Sequence, residues 1–415
     1  MPGKNANIVV GLDLGTSSIV AVAAKVKSGG QLDIVGVGKA ESLGMRKGTI
    51  VDIEKTASAV QKAVEEAERM SGYEIDRVVA GITGPHISSM NNHGVVAVSN
   101  ERNEITPEDV QRALQAAKVV ALSQDKRIIH ILPRQYIVDG FDGISDPVGM
   151  FGNRLEVETS IIVGAKASVQ NTLKTIEKTG LKVEALVFNA LASSEAVLQN
   201  AEKELGTVLV DIGAGTTEIA IFREGSLLYA AVIPIGGDHI TSDLAVGLRT
   251  PIAMAEKVKI EEGCVLTDLM PDDKYIEIPS VGGQEIRKVS RRMLASIIEP
   301  RVEEILFMIK EKIKSSGYSD VLPGGVVVTG GSASLQGLAR LAEEILELPV
   351  RIGMPQNVGG LVDIVNSPAY STAIGLVCFG AKRFSFGDEA AEEDEPVLVG
   401  FFYRIKNWFV NFFTQ

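Results

Sequence analysis

The sequence predicts an α/β protein composed of two similar halves, and three observations support this fold class. Short runs rich in Val and Ile alternate with helical patterns and glycines through residues 1–383, as in proteins with mixed sheets. A strand–turn–strand pattern that begins at Ile8 recurs at Thr207. The chain has 415 residues, 45% of them hydrophobic and 23% charged, which is the composition of a globular protein. Its length is enough for about two to three domains.

The two copies of this pattern have the same order of features. The first, IVVGLDLGTSSIVAVAAKV, has an apolar strand, an Asp-x-Gly turn with hydroxyl side chains at 13–18, and a second apolar strand. The second, TVLVDIGAGTTEIAIFREG, repeats this order around the turn at 211–217. A further short strand is predicted after each copy, at 34–37 and 228–233. Two such halves facing each other would form a cleft with one turn on each wall.

Composition divides the chain into a globular body, a linker and a tail. Residues 384–396 contain six carboxylates and no basic residue, which is typical of a solvated, self-repelling linker. Within the body, two stretches follow neither half's pattern and are interpreted as inserted subdomains. The predicted division is 1–84 with 164–205, the insertion 85–163, 206–236 with 309–383, the insertion 237–308, the linker 384–396 and the tail 397–415.

Each insertion has a recognisable helix. The first insertion follows a strand predicted at 78–82 and contains a helix that starts at Thr106, a favourable N-cap. Pro107 suits the first helical position, where its missing N–H would be unpaired in any case. The second insertion is predicted to end in a long basic helix over 285–314.

Charge and cysteine content exclude several classes of protein. There are 53 acidic and 41 basic residues, a net charge of −12, which is unfavourable for binding a nucleic-acid backbone. The spacing of Cys264, Cys378 and the four histidines is not that of metal ligands, so no zinc site is expected. The presence of only two cysteines predicts a protein of a reducing compartment. The N-terminus lacks the pattern of a signal peptide, and no apolar run approaches about 18 residues, so no membrane span is expected.

The two Asp-Gly turns have the composition of phosphate-binding loops. Glycines allow several backbone N–H groups to converge on an anion, and the hydroxyls add further donors. An aspartate at each strand end would act through water on a hydrated Mg²⁺ rather than touch the phosphate. One such turn alone could be a β-turn with a capping Asp, but two with matching flanks favour phosphate binding. The candidates are Asp13, Gly15, Thr16, Ser17 and Ser18, and Asp211, Gly213, Gly215, Thr216 and Thr217, with Asp13 and Asp211 as the magnesium residues.

A third glycine site follows the apolar strand at 326–329. Gly330, Gly331 and Ser332 would let an adenine or ribose lie flat against the backbone. The alternative is an ordinary strand-to-helix turn of an α/β fold. The position of this site relative to the duplicated turns favours the nucleotide interpretation.

Together, the two phosphate turns and the Gly-Gly turn resemble those of the actin, Hsp70 and sugar-kinase ATPase superfamily. Within it the chain is similar, over essentially its whole length, to the FtsA family of bacterial cell-division proteins. The resemblance implies a duplicated, ribonuclease H-like actin fold that binds ATP and Mg²⁺ in the cleft. It also implies names for the parts of the body. Residues 1–84 with 164–205 are subdomain 1A, 85–163 are 1C, 206–236 with 309–383 are 2A, and 237–308 are 2B.

The resemblance extends to the helices that connect the two halves, matched here to 189–197 and 371–377. Actin-like ATPases orient the attacking water with a polar side chain on the first of these helices, where Asn189 is the candidate. Asn189 is shorter than the usual Gln or Glu, and it could instead be a helix N-cap. We therefore expect ATP binding with weak or no hydrolysis. Further candidates for nucleotide contact are Gly11, Gly236, Glu256, Lys257 and Gly375, although a solvated helix face is the alternative for Glu256 and Lys257.

The tail at 397–415 predicts an amphipathic helix. Its large apolar side chains recur at helical spacing, and basic and polar residues occupy the other side. An aromatic stripe with a basic back is typical of a helix that lies in a membrane interface. Docking on the protein's own core or in a partner groove is the alternative, against which the acidic linker argues. The apolar stripe is Leu398, Phe401, Phe402, Ile405, Trp408, Phe409, Phe412 and Phe413, with Arg404 and Lys406 on the polar side.

One tail should bind a membrane weakly. Burying eight large side chains contributes about 20 kcal/mol, and ordering the helix costs a comparable amount. Several tails on one polymer would bind far more tightly, because each later contact is intramolecular.

The FtsA resemblance implies partners as well as a fold. It implies self-assembly, recruitment of later division proteins through 85–163, and binding of the C-terminal peptide of the tubulin-like protein FtsZ. Arg287, Arg291 and Arg301 are the candidates for that peptide, because arginine suits acidic partners; a solvated charged face is the alternative. The expected function is to tether the FtsZ ring to the cytoplasmic face of the inner membrane at midcell.

Two other functions fit the same fold. A small-molecule kinase of the superfamily would need a general base near a substrate pocket in the first half, and no strong candidate is present there. A peptide-binding module of the PilM type, from pilus assembly, shares the fold but not this tail.

Overall fold

The computed structural model describes residues 7–27, 29–99, 102–270, 274–280 and 286–384. The predicted tail, and the predicted linker beyond residue 384, lie outside the described residues. No helix within the described part combines the length and the apolar composition that a membrane crossing needs.

The elements alternate along the chain as an α/β protein requires. The strands are β1 (Ile8–Leu14), β2 (Ser18–Val26), β3 (Leu32–Glu41), β4 (Met45–Arg46), β5 (Thr49–Ile50), β6 (Arg77–Ile82), β7 (Ser88–Ala97), β8 (Lys126–Val138), β9 (Phe141–Ile144), β10 (Arg154–Ala165), β11 (Lys182–Phe188), β12 (Thr207–Ile212), β13 (Thr217–Arg223), β14 (Ser226–Ile233), β15 (Tyr275–Pro279), β16 (Ile286–Ser290), β17 (Val326–Thr329), β18 (Val350–Ile352) and β19 (Val358–Gly360). The helices are α1 (Ile53–Ser71), α2 (Pro107–Lys118), α3 (Lys166–Glu177), α4 (Asn189–Val197), α5 (Asn200–Leu205), α6 (Gly237–Leu248), α7 (Ile252–Glu262), α8 (Arg291–Ser315), α9 (Leu338–Leu346), α10 (Val362–Val365) and α11 (Ser371–Phe384).

Two sheets hold the two predicted halves. In the first half, β1, β2 and β3 form an antiparallel meander, and the six-stranded order is β11-β6-β1-β2-β3-β19. In the second half, β12, β13 and β14 form the same meander, and β17 and β18 run parallel to β12 as β6 runs parallel to β1. The duplication that the sequence predicts is therefore confirmed at the level of strand order.

The helices α4 and α11 lie between the two sheets. α11 packs on β1, β2 and β6, and α4 packs on β12, β13 and β17, so their side chains join one apolar core with strands of both halves. A methyl group added at Gly375 of α11 would lie 1.9 Å from the carbonyl oxygen of Ala192 in α4, so only glycine permits this crossing. The two connecting helices are where the sequence predicts them, and α11 continues beyond 377 to Phe384.

The outer faces of the two sheets carry the remaining helices. The N-cap of α1 is Asp52, whose carboxylate accepts the N–H of Lys55, and its C-cap is Gly72 with φ of 73°. Its alanine-rich face packs on β2 and β3 of the first sheet. In the second half, α6, α7, α8 and α9 contribute to a separate apolar core with β12, β13 and β17.

The first insertion contains β7, α2, β8 and β9, and most of β10. The start of α2 is confirmed: Thr106 caps the helix, Pro107 is in its first turn, and Asp109 completes a capping box with Thr106. The insertion's strands extend the second half's sheet, because Ser88 of β7 pairs with Ala231 of β14. The resulting order is β18-β17-β12-β13-β14-β7-β10-β8-β9.

The basic helix predicted over 285–314 is wrong at its start. Residues 286–290 form strand β16, which pairs with β15, and the helix α8 begins at Arg291 after the N-cap Ser290. Arg287 therefore lies on a strand. The pairing partner β15 is not detectable from local periodicity, which explains the error. α8 also continues unbroken past residue 308, where the sequence division placed a boundary.

His130 connects the insertion to the body. It is buried on β8, its Nε2 accepts the backbone N–H of Phe188 at 3.0 Å, and its ring meets the edge of Phe379 in α11. Burial lowers the pKa of His130 to about 4 from an ordinary 6.5.

We predict that His130 makes the protein sensitive to acid. Between pH 6.5 and about 4 the unfolded chain takes up a proton at this position and the folded chain does not, so the free energy of unfolding falls as the pH falls. The loss should total on the order of 3 kcal/mol. Urea unfolding of wild type and His130→Gln at pH 8, 6 and 4.5 should show a smaller loss in the variant. Equal slopes in the two proteins would contradict this role for His130.

Candidate functional site

The two glycine turns have the same hydrogen-bonded geometry. The N–H of Gly15 donates to the carbonyl of Ser18 at 3.1 Å, and the N–H of Gly213 donates to that of Thr216 at 2.9 Å. In each case the turn joins the first two strands of a meander, with the aspartate near the end of the first strand. The sequence pattern therefore predicted two equivalent loops correctly.

The two turns, from separate halves of the sequence, lie against each other. A methyl group added at Gly215 would be 2.6 Å from Oγ1 of Thr16, so the second turn reaches the first through its glycine. Oγ1 of Thr16 also accepts the backbone N–H of Gly48 at 3.0 Å. A ligand bound at one turn would therefore be within reach of the other.

Three carboxyl groups converge behind these turns. Burial and the charge of Asp211 raise the pKa of Asp13 to about 7. Burial also raises the pKa of Asp211, and burial together with Asp211 and Asp13 raises the pKa of Glu218 well above its ordinary value. Glu218 lies directly opposite Asp211 in the β12–β13 pair. Such a cluster needs protons or a cation to offset its repulsion.

Glu218 was not among the residues predicted from the sequence. It follows the second turn as a single carboxylate in the apolar strand TEIAIFR, where it is only 5% exposed. An acidic residue in a buried strand is the signal that could have identified it, because such groups are seldom buried without a partner or a function.

Asp211 is held by both connecting helices. Its Oδ2 accepts the hydroxyl of Ser193 in α4 at 2.7 Å and that of Thr372 in α11 at 3.2 Å. The two hydroxyl oxygens are 2.9 Å from each other. Asp211 is thus hydrogen-bonded to both helices that join the halves. The sequence pattern did not reveal these hydrogen bonds.

The unsatisfied oxygen atoms fit a hydrated cation. Oδ1 of Asp13 and Oε2 of Glu218 are buried and have no hydrogen-bond partner. Buried acceptors of this kind need donors, which the water molecules around Mg²⁺ can supply. Among the described residues, no three His, Cys, Asp or Glu side chains are arranged to bind a metal ion directly. The residues present therefore fit an ion held through water, and the assignment of Asp13 and Asp211 to that ion stays a prediction.

The third glycine site lies next to the second turn. Gly330 has φ of 87°, and a methyl group there would be 2.3 Å from Oδ1 of Asp211. Oγ of Ser332 donates to the carbonyl of Gly213 at 3.4 Å. By contrast, a methyl group at Gly331 would meet nothing within 4 Å, so this glycine faces open space beside the turn.

A lysine different from the predicted one reaches this region. Lys259 is buried on α7, and its Nζ donates to the carbonyl of Gly237 at 3.2 Å, to Thr241 at 2.8 Å and to Glu256 at 2.6 Å. Glu256 therefore lies beside the turn that precedes α6. Lys257, on the same helix, is exposed.

The remaining candidates are distributed between the site and the packing contacts. Gly236 lies against the second turn, and a methyl group there would be 2.5 Å from the carbonyl oxygen of Gly213. Gly11 and Gly375 instead lie where α11 packs on β1 and on α4. The atoms nearest to Gly11 are the carbonyl oxygen of Ala373 and side-chain atoms of Leu376 and Val377, and those nearest to Gly375 are backbone atoms of Ala192 and Ser193.

Asn189 does not cap its helix. It is the first residue of α4, whose N-cap is Phe188, and no side chain caps this helix end. The alternative interpretation of Asn189 as an N-cap is therefore wrong. Its Oδ1 is buried without a hydrogen-bond partner next to Gly81.

The three arginines proposed for a partner already have partners within the chain. Arg301 forms a two-pronged contact with Asp243, at 2.6 and 3.2 Å, and also pairs with Glu304. Arg287 donates to the carbonyl oxygens of Leu248 and Arg249, and Arg291 pairs with Glu262 at 3.0 Å.

The fold has two duplicated halves, each with the same strand–turn–strand unit, and two crossing helices join them. These features define the actin-like class of α/β proteins. The sequence comparisons place the chain within this class. The family described as "Cell division protein FtsA" matches residues 208–375, and the "SHS2 domain inserted in FTSA" matches residues 84–163. The chain belongs to the FtsA family. A curated FtsA from Pseudomonas aeruginosa is 42% identical over 98% of both chains, and that of Escherichia coli K12 is 38% identical over 97% of both.

Solved structures agree on the fold. The PilM–PilN type IV pilus biogenesis complex matches with a TM-score of 0.64 at 16% identity, covering 90% of this chain and 98% of that one. MreB5 of Spiroplasma citri bound to ADP matches with a TM-score of 0.55 at 15% identity, covering 92% and 99%. The predicted actin-like fold with an FtsA-type insertion is confirmed.

We predict that the hydroxyls of Ser193 and Thr372 stabilise the protein through Asp211. Ser193→Ala and Thr372→Val each leave a buried carboxyl with one donor fewer, and each should lower the free energy of unfolding by about 1–3 kcal/mol. The double variant should deviate from additivity, because the two hydroxyls also contact each other. Urea unfolding measures all three.

Ser194→Ala is the matched control, since Ser194 is buried on the same helix but donates only to the Leu191 carbonyl. A cost for Ser194→Ala as large as that for Ser193→Ala would show that Asp211 is not the cause.

Proposed function

We propose that this chain binds ATP with Mg²⁺ between the two glycine turns. The observation that carries the proposal is the contact of the two turns beside three buried carboxyl groups. Backbone N–H groups and hydroxyls of both turns would bind the phosphates. Asp13 and Asp211 would hold the water shell of the ion, which offsets their charge and that of the phosphates. The open face of Gly331 would receive the adenosine.

Hydrolysis would be slow. The residues that could orient a water molecule are Asn189, with its unpartnered Oδ1, and Glu218. Burial and the charges of Asp211 and Asp13 raise the pKa of Glu218 well above its ordinary value. A carboxyl that favours its protonated form is a poor general base. We therefore propose that the main role of the bound nucleotide is to control assembly, and that ATP turnover is secondary.

The biological function that we propose follows from family membership and the tail. The curated relatives are named as cell-division proteins, and the chain covers nearly their full length. We propose that it polymerises, attaches the FtsZ ring to the cytoplasmic face of the inner membrane at midcell, and recruits later division proteins through 85–163. The predicted tail supports attachment, because weak anchors become strong on a polymer.

The FtsZ peptide would have to compete for the three proposed arginines. Arg301 and Arg291 are paired with acidic side chains, so an acidic peptide could displace Asp243 or Glu262 rather than meet a free cation. Such exchange of one carboxylate for another would keep the interaction weak and reversible. The assignment of these arginines stays a prediction.

The nucleotide proposal predicts measurable binding that Gly331 controls. Calorimetric titration of the purified chain with MgATP should give heat, and Gly331→Leu should weaken binding at least tenfold because its side chain fills the open face. The thermal unfolding midpoint of that variant should stay close to that of wild type, since no atom lies within 4 Å of a β-carbon placed at residue 331. The absence of heat with wild type at high MgATP concentration would refute the proposal.

The tethering proposal predicts that membrane attachment depends on the tail. Full-length chain should float with vesicles of bacterial lipid, a 1–395 truncation should not, and Trp408→Ser should float less than Asn411→Ser on the polar side. Attachment should also increase with MgATP if assembly multiplies the anchors. Flotation of the truncation as efficient as that of the full chain would favour a peptide-binding module of the PilM type.

A further inference from the structure

A small hairpin crosses the junction of the two glycine turns. Strands β4 and β5 are joined by a two-residue loop, Lys47-Gly48. The N–H of Gly48 donates to Thr16 of the first turn at 3.0 Å. On the other side, a methyl group added at Gly215 of the second turn would lie 3.0 Å from Cα of Lys47. Lys47 is therefore placed where the two turns meet.

The hairpin is fixed to the first turn at a second point. The backbone N–H of Ser42, just before β4, donates to the carbonyl of Ser17 at 3.0 Å. Gly48 also lies against Thr83 and Gly84, which follow strand β6. These contacts hold the loop backbone in place while the side chain of Lys47 stays exposed.

Lysine is an unfavourable choice for this loop position on conformational grounds. Lys47 has φ of 49° and Gly48 has φ of 71°, the two positive values that a tight hairpin of this kind requires. Asn, Asp and Gly adopt such values readily, whereas other residues do so at a cost. Strained positions of this kind concentrate at functional sites, so the presence of lysine at this position needs a functional reason.

The charge balance of the site gives a reason for a lysine here. Asp13, Asp211 and Glu218 are acidic, and a nucleotide triphosphate would add further negative charge. The nearby amino group of Lys259 is already bonded to Glu256, Thr241 and Gly237. Within the described residues, the amino group of Lys47 forms no hydrogen bond or ion pair. The amino group is therefore available to a ligand. Lysine binds phosphates as a flexible point charge.

We propose that Lys47 binds the terminal phosphates of the nucleotide from its position between the two turns. This inference rests on the proposed nucleotide binding and adds a cationic side chain to the backbone N–H groups and hydroxyls that would bind the phosphates. Because the hairpin belongs to the first half and Gly215 to the second, the same contact connects both walls of the cleft through the ligand.

The test compares Lys47→Ala, Lys47→Gly and Lys47→Arg with the neighbouring control Arg46→Ala. Calorimetry measures affinity for MgATP and for adenosine, with thermal unfolding as a check of folding. Lys47→Ala and Lys47→Gly should weaken MgATP binding about 10- to 100-fold and leave adenosine binding unchanged. Lys47→Arg should retain part of the affinity, and Arg46→Ala should behave as wild type.

The glycine variant separates the amino group from the backbone. Glycine adopts positive φ without strain, so a loss in Lys47→Gly comes from the missing side chain. Normal MgATP binding by Lys47→Gly would overturn the inference, and so would an equal loss of adenosine affinity. If wild type binds adenosine and MgATP equally well, phosphate recognition itself is absent and the inference is wrong. If wild type binds neither, the proposed function fails first.

Discussion

Burial of three carboxyl groups at one point is the constraint on which the rest of the site depends. Asp13, Asp211 and Glu218 come from two hairpins in different halves, and burial raises the pKa of each carboxyl. Hydrogen bonds from Ser193 and Thr372 only partly offset the cost for Asp211. A hydrated cation would relieve the repulsion that the fold creates. This repulsion arises from the way the two halves meet.

The connecting helices also link this site to the packing between the two halves. α4 and α11 touch backbone to backbone at Ala192 and Gly375, and each also donates a hydroxyl to Asp211. Any change in the charge or position of Asp211 therefore acts directly on the elements between the two sheets. This arrangement supports the proposal that a bound nucleotide would control assembly.

The insertion is joined to the second half as well as to the first. Its strands extend the second sheet through β7 and β14, and the hydroxyl of Ser89 both accepts from and donates to the backbone of Ala230. His130 and Phe188 connect it to the first half. The insertion therefore contacts both halves, so its orientation depends on how they are placed relative to each other.

Local sequence rules are sufficient for one group of features. Both glycine turns, the meander strands and the cap at Thr106 follow from composition and spacing within a few residues, whereas the helices at 189–197 and 371–377 were matched through the family resemblance. The family resemblance extended these features to a fold, which the comparisons confirmed.

Contacts between residues that are far apart in the sequence follow only from the packed fold. Glu218, Ser193 and Thr372 join the site through strand register and helix crossing, and Lys259 reaches Gly237 from the buried face of α7. Strand β16 replaced a predicted helical turn because its partner β15 is remote in sequence. In each case the deciding energy comes from burial and pairing with distant residues, which local patterns do not contain.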